Sequence, residues 1–414
     1  MKRHCLKTIL ALTAGIPVLF TMCSKSTDQN LPTEPVKISL SQTQVSIVES
    51  GSSFAFDIFR NVVENADKDE NIMVSPLSIS YALSMTLNGA NGATRDSMLA
   101  ALRDNGLTPD EINNSFKGLT TALMSVDKRV AMLIANSVWT EIDFAVKKSF
   151  IDILTNYYNA ESQQFDINDP TVPGKVNAWI SNSTNGLITN MLDKLDTNTV
   201  MLLINAIYFK GKWTLEFDPA NTMNTSFYKP EGTTVSVPVM SQSSDFKVYN
   251  GGSFILGEFP YGQGNFVMDV ILPTAQDGIG AFIPSLTQSA FNGWINQLSS
   301  QKVDLSMPRF KYGYKITLND ILSDMGMGIA FTPFADFSNI ADASLCISKV
   351  LHQSYIETDE EGTEAAAATI VTIIPTAVEQ PFEFNINHSF IYIIRETTTG
   401  SILFMGRVAD PSAN

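Results

Sequence analysis

Residues 356–381 read IETDEEGTEAAAATIVTIIPTAVEQP. Three carboxylates, Asp359-Glu360-Glu361, precede Gly362, Thr363 and Glu364; then come four alanines (Ala365–Ala368), Thr369, the run Ile370-Val371-Thr372-Ile373-Ile374, and Pro375. Local propensity predicts a helix over Thr363–Thr369, with Glu364 in its first turn. The β-branched run that follows predicts a strand. The three carboxylates read as a solvated edge rather than as a metal or acid–base centre. An acidic edge, a glycine, an alanine run and a β-branched run in one segment form an odd combination, and the rest of the chain has to supply its meaning.

The chain has 414 residues, 44% of them apolar, enough for a sizeable core. Formal charge is -15, from 42 Asp+Glu against 27 Lys+Arg, with no basic cluster. Such a surface repels phosphate and sulfate polymers, so neither nucleic acid nor a heparin-like chain is an expected partner.

At the N-terminus, Lys2, Arg3 and Lys7 precede a mostly apolar stretch over residues 9–22 that is short for a membrane span. Phe20-Thr21-Met22-Cys23 followed by Ser24-Lys25-Ser26 resembles a bacterial lipoprotein signal, with Met22 where a small residue is usual. The expectation is a signal peptide over 1–22, an acylated Cys23 as first mature residue, and a flexible tether over 23–48. The product would be exported and membrane-anchored, periplasmic or at the cell surface. An ordinary secretory leader is the alternative. Val36–Val48 alternates weakly and predicts at most a short strand. With Cys5 in the leader and Cys23 acylated, Cys346 stands alone, and its apolar neighbours predict a buried structural thiol.

From residue 49 to 414 no composition break divides the chain, which predicts one domain. Ser75-Pro76 is a strong helix start, with serine as cap and proline in the first turn; the helix it opens, to about Leu87, is apolar all round and so buried. Further helices are predicted near residues 92–103, 109–125, 147–158, 172–183 and 287–298. Strands are predicted at Ala131–Thr140, Val200–Phe209, Phe266–Leu272 and Val303–Met307, and a closing hairpin at Phe390–Arg395 and Ile402–Val408. Helices mainly first and strands mainly later indicate an α+β domain.

Catalytic motifs are missing. The mature chain would hold only His352 and His388, and it has no HExxH, CxxC, GxSxG or phosphate-binding glycine loop. A catalytic triad would have to use one of those two histidines. His352, between Val350-Leu351 and Gln353-Ser354, reads as a satisfied histidine inside a strand. No cofactor, metal site or turnover activity is expected.

Four ordered segments carry a resemblance to the serpins. Glu360-Glu361-Gly362-Thr363-Glu364-Ala365-Ala366-Ala367-Ala368-Thr369 is similar to the hinge of inhibitory members. Asn71-Ile72-Met73-Val74-Ser75-Pro76-Leu77-Ser78-Ile79 resembles the helix behind the central sheet. Asn205-Ala206-Ile207-Tyr208-Phe209-Lys210-Gly211-Lys212-Trp213 resembles a strand and turn near the top of that sheet. Phe404-Met405-Gly406-Arg407-Val408-Ala409-Asp410-Pro411 resembles the closing signature.

The resemblance implies a fold of three β-sheets with eight or nine helices and an exposed reactive-centre loop at about residues 360–381. It also implies a monomer that inhibits serine proteases. A protease attacks the loop, an acyl-enzyme forms, and the cut loop enters the central sheet and carries the protease with it. The hinge would be Glu360, Gly362, Thr363, Glu364 and Ala365–Ala368, and the scissile bond Thr376–Ala377, with Ala377–Val378 and Val378–Glu379 as alternatives. These residues are small or β-branched, which fits an elastase-like target. In one phase Thr363, Ala365, Ala367, Thr369, Val371 and Ile373 would face the core; no proline interrupts 363–374, and the strand would span about 40–45 Å. Ser75, Ser78, Asn205 and His352 match a polar "shutter" under the sheet, and Trp213 an aromatic where the loop enters. A non-inhibitory binding or chaperone member, and a surface hydrolase, are the competing readings.

Overall fold

The computed structural model describes residues 34–104, 106–363 and 380–413. Cys23, Glu364–Ala368 and the Thr376–Ala377 bond lie outside the described residues.

The order of elements is α1 Gln42–Asn65, β1 Ile72–Val74, α2 Pro76–Leu87, α3 Gly92–Leu102, α4 Pro109–Ser125, β2 Val130–Glu141, α5 Lys148–Tyr158, β3 Glu161–Phe165, α6 Val172–Ser183 and β4 Met201–Lys212. There follow β5 Met223–Tyr228, β6 Thr234–Asn250, β7 Phe254–Tyr261, β8 Phe266–Pro273, α7 Ile279–Phe282, α8 Gln288–Ile295, β9 Ser299–Pro308, β10 Phe310–Thr317 and α9 Asn319–Leu322. The chain closes with β11 Leu351–Thr358, β12 Gly362–Thr363, β13 Phe382–Asn385, β14 Phe390–Glu396 and β15 Ile402–Val408. Among the described residues these make nine α-helices and three sheets, an α+β architecture. Thr363, predicted to open a helix, is in a strand.

The largest sheet runs β1-β15-β14-β8-β7-β6-β9-β13, with β5 on β6. Its centre is buried on both faces: every residue of β8, β14 and β15 is buried. The helix α2 lies between β15 and β4. Ser75 caps it through a 3.3 Å bond from the Ser78 amide, and Pro76 fills its first position. The two smaller sheets are the antiparallel pair β10–β11 and the order β12-β4-β2-β3. β4 and β2 pair from Met201↔Thr140 to Gly211↔Val130.

Two expectations are corrected. Residues 42–48, read as tether or short strand, are the first turns of α1. A capping box between Ser41 and Gln44 starts this helix, and Ile47 and Val48 are buried by it. The polarity of Ser41-Gln42-Thr43-Gln44 belongs to a helix start rather than a linker. Cys346 is exposed rather than buried. Its neighbours Leu345 and Ile347 pack on the core in an extended segment, and alternation turns the residue between them outward.

Candidate functional site

β11 leads through a tight turn into β12. The Asp359 amide donates to the Gly362 carbonyl (2.9 Å), and the Gly362 amide donates back (3.3 Å). The Asp359 carboxylate also accepts from the Glu361 amide at 3.0 Å. Gly362 has φ +141°, and a Cβ there would lie 2.2 Å from the Gly211 carbonyl oxygen. Only glycine fits this backbone approach. Gly362 and Thr363 then pair antiparallel with Lys212 and Gly211 of β4.

Trp213 fastens this corner. Its amide donates to the Glu361 carbonyl (2.8 Å) and its Nε1 to the Asp359 carbonyl (2.9 Å). The indole stacks on Tyr261 at 4.4 Å with the planes 10° apart. The Tyr261 hydroxyl lies 3.1 Å from Thr363 Oγ1, and both residues are buried. Thr363 therefore points inward.

Glu360 is not a solvated edge: it is 4% exposed. Arg309 Nε donates to its carboxylate at 2.9 Å, and Arg309 Nη2 and Thr222 Oγ1 also bond it. Burial works to raise this carboxyl, but the bonds from Arg309 and Thr222 hold it below the ordinary glutamate value. Asp359, one residue earlier, is raised by burial. Sequence reasoning missed Arg309, Thr222 and Tyr261, since nothing in their local sequence links them to residue 360 or 363.

A second cluster sits where β4, β11 and the start of α2 meet. The Ser75 amide donates to His352 Nε2 at 3.0 Å, and Ser75 Oγ donates to the Leu403 carbonyl at 2.8 Å. Ser78 Oγ bonds Asn205 Oδ1, and Asn205 Nδ2 donates to Asn136 Oδ1 at 2.7 Å. Asn136 Nδ2 in turn donates to the Tyr158 carbonyl at 2.6 Å. The four residues Ser75, Ser78, Asn205 and His352 thus gather in two contacts linked by the Ser78 amide, which donates to Ser75 Oγ, and Asn136 extends the cluster from Asn205. An asparagine inside the apolar Ala131–Thr140 strand was the sequence signal for that fifth member.

His352 is buried, and burial depresses its pKa to about 4. A neutral ring accepting at Nε2 carries its proton on Nδ1. The Ser75 hydroxyl is directed to Leu403, not to the imidazole, so the two do not form a nucleophile–base pair. His388 sits elsewhere, with Nε2 2.7 Å from the Pro273 carbonyl and Nδ1 2.8 Å from Asn387 Oδ1. Among the described residues no group of three or more His, Cys, Asp or Glu could hold a metal ion.

Between β4 and β11 runs a crevice of about 20 Å³, lined by Met73, Ile207, Phe209, Ile356, Thr363 and Phe404, among others. Its walls mix these side chains with Thr184, Tyr208 and Tyr355, and Thr363 stands in it. The region thus combines a glycine turn paired onto the end of β4, a narrow crevice between β4 and β11, and a buried polar cluster.

The molecule is an α+β scaffold in which the segment after β11 turns onto the edge strand β4 of a neighbouring sheet. Comparison with known proteins gives this scaffold its family. Residues 49–411 match the family model described as Serpin (serine protease inhibitor). Neuroserpin of Gallus gallus is 32% identical over 366 residues, covering 85% of this chain and 89% of the relative. The native structure of the thermophilic serpin tengpin superposes with a TM-score of 0.80 at 30% identity, over 92% of this chain and 97% of that one. Human thyroxine-binding globulin, solved in complex with thyroxine, superposes with a TM-score of 0.81 at 27% identity, over 90% of this chain and all of the other. The chain belongs to the serpin family, which holds both protease inhibitors and non-inhibitory members.

Proposed function

We propose that the protein is a single-turnover inhibitor of serine proteases, trapping the acyl-enzyme by drawing its cleaved loop into the crevice between β4 and β11. The observation that carries this reading is the pairing of Gly362–Thr363 with β4, with Thr363 turned inward onto Tyr261.

On this reading the inserted loop keeps that pairing's direction and phase. Its register would turn Glu364 outward and Ala365, Ala367, Thr369, Val371 and Ile373 inward. It would also bring Thr369 opposite Asn205 on β4. The mutual bonds of Asp359 and Gly362, continued down β11, would set Thr369 opposite His352. Two independent registers would thus bring one hydroxyl to the polar cluster, whose members would otherwise lose partners as the strands part. The small inward residues come first, so the crevice opens at low steric cost. Val371 and Ile373 come later and gain roughly 1.5–3 kcal/mol each on full burial.

The chemistry belongs to the protease. Its serine oxygen attacks the Thr376 carbonyl, the bond to Ala377 breaks, and the new amine leaves with a proton. Ile373 would then reach the level of Met201, at the far end of β4, and the esterified Thr376 would pass beyond it. The protease is carried roughly 40 Å, and the ester persists because the distorted enzyme no longer activates water. Small uncharged residues around the bond suit an elastase-like pocket. An acylated Cys23 would hold the inhibitor at a membrane of the exporting cell; no helix among the described residues is long and apolar enough to cross one.

The test is incubation with an elastase-type protease, followed by a denaturing gel and mass spectrometry of the released peptide. The expected result is a detergent-stable adduct and a peptide beginning at Ala377. The likeness to thyroxine-binding globulin favours a second reading, a binding protein; that reading predicts cleaved chain without adduct. Thr363→Arg is expected to convert inhibitor to substrate, because a charge cannot enter the position beside Tyr261. Undiminished adduct from this variant would refute the hinge assignment.

A further inference from the structure

Residues 35–40, read from the sequence as tether, are docked on the body of the molecule. Asn265 grips the backbone of Val36 from both sides: the Val36 amide donates to its Oδ1 at 2.8 Å, and its Nδ2 donates to the Val36 carbonyl at 2.8 Å. This is how a neighbouring strand would read an extended peptide. The Ile38 amide donates to Thr398 Oγ1 at 3.1 Å. Ile38 and Leu40 rest on the main core. Pro35 lies against Gly264, close enough that a Cβ there would come within 3.3 Å of the proline ring.

Asn265 is fully buried and held on every side. Its Nδ2 also donates to the buried Glu396 carboxylate at 2.9 Å, and its Oδ1 accepts from Gln263 Nε2 at 3.1 Å. The turn it belongs to, residues 262–265 between β7 and β8, faces the hinge corner on its other side. The Gly262 amide donates to the Lys212 carbonyl at 2.8 Å, and the Gly262 carbonyl accepts from Thr214 Oγ1 at 3.0 Å. Tyr261, one residue before the turn, carries the stack on Trp213 and the contact with Thr363.

The N-terminal strap and the loop hinge therefore hold opposite sides of one four-residue turn. We propose that residues 35–40 are a latch: docked in the Asn265 clamp, they brace the 262–265 turn, which in turn holds the end of β4 against β12 and slows opening of the sheet. The device acts on hinge opening itself and is testable whether or not the protein inhibits a protease.

Three proteins separate the outcomes: the full chain, its Asn265→Ala variant, and a form beginning at Ser41. The readout is hydrogen exchange, by mass spectrometry, in peptides covering residues 208–217 and 359–363, with a synthetic peptide of residues 34–41 added in trans. Loss of the two clamp bonds is expected to raise exchange at both segments roughly ten-fold, and saturating peptide is expected to restore slow exchange in the Ser41 form but not in Asn265→Ala. Peptides from β14 and β15 serve as the internal reference. Unchanged exchange at the hinge segments in either altered protein would overturn the proposal, as would a rise equal to that in β14 and β15, which would mean general loosening. Adduct formation by the full chain is scored separately, so failure as an inhibitor and failure of the latch remain distinct results.

Discussion

Two hairpins in this molecule meet opposite fates. In β14–β15 every residue is buried and the pairing runs from Phe390↔Val408 to Arg395↔Ile402. In β11 burial alternates residue by residue, and beyond the turn at Glu360–Glu361 only Gly362 and Thr363 are described as strand. The first hairpin is closed on both faces and cannot part without exposing apolar surface. The second has one wet face, a narrow crevice beside it and a polar cluster below. The large buried sheet resists parting, and the proposed insertion is placed at the half-exposed strands, where parting exposes less apolar surface.

The sharpest contrast comes from two glycines. At Gly406 in β15 a Cβ would meet the Tyr392 ring at 2.2 Å. Gly406→Ala should cost about 3 kcal/mol or more through overpacking, in intact and loop-cleaved protein alike, as measured by urea unfolding. Gly362→Ala meets backbone rather than a ring; it should weaken the hinge corner while leaving the β14–β15 hairpin intact, seen as faster amide exchange confined to residues 359–363 and their partners. Equal effects of the two changes on the β14–β15 hairpin would erase the distinction drawn here.

Next in size is pH. His352 has a pKa of about 4 in the folded chain against about 6.5 when unfolded. Its neutral form is favoured by folding, so its contribution is complete above pH 6.5 and is lost as pH falls toward 4, an order-of-magnitude 3 kcal/mol. His388 is also lowered by burial and adds in the same direction. Asp104 and Asp269, raised by burial to about 7 and about 6, act in the opposite direction, so the test is comparative: His352→Gln should lose less stability than the parent chain, by urea midpoint, between pH 7.5 and 4.5. A slope unaltered by His352→Gln would assign the acid sensitivity elsewhere.

Smaller effects follow at the edges of the site. Ser75→Ala removes the α2 cap and the bond to Leu403, and should cost roughly 1–2 kcal/mol in thermal unfolding. Arg309→Gln should cost less than about 1 kcal/mol, because the arginine is 42% exposed and its pairing is screened; the buried Glu360 keeps the Thr222 bond. A larger loss would mean that the carboxylate depends on its charged partner alone.

The helices and the closing hairpin were legible because their signals are local. Ser75-Pro76 announces a capped helix start, and Pro109–Ser125 repeats Ile112, Phe116, Leu119 and Leu123 at helical spacing. β6 was not legible: seventeen residues with Ser241-Gln242-Ser243-Ser244-Asp245 in the middle look like a loop, and its partners β5, β7 and β9 make it a strand. The start of α1 was hidden by polar capping residues that resemble a linker. At the site, Trp213, Ser75, Ser78, Asn205 and His352 were picked out through family resemblance; the structure gathers the last four in one polar cluster and sets Trp213 at the separate Gly362 corner. Arg309, Tyr261 and Asn265 were out of reach, since each acts on a partner at least fifty residues away and none stands in a motif.

Everything functional turns on whether the segment from Thr363 to Thr376 becomes a strand between β4 and β11 once its far end is cut. The direct measurement is the melting temperature of protein nicked in the loop beside that of intact protein. Burial of the inward side chains and a completed set of strand bonds predict a rise of roughly 10 °C or more. A nicked chain that melts with the intact one, its cut segment still open to further proteolysis, would contradict the account.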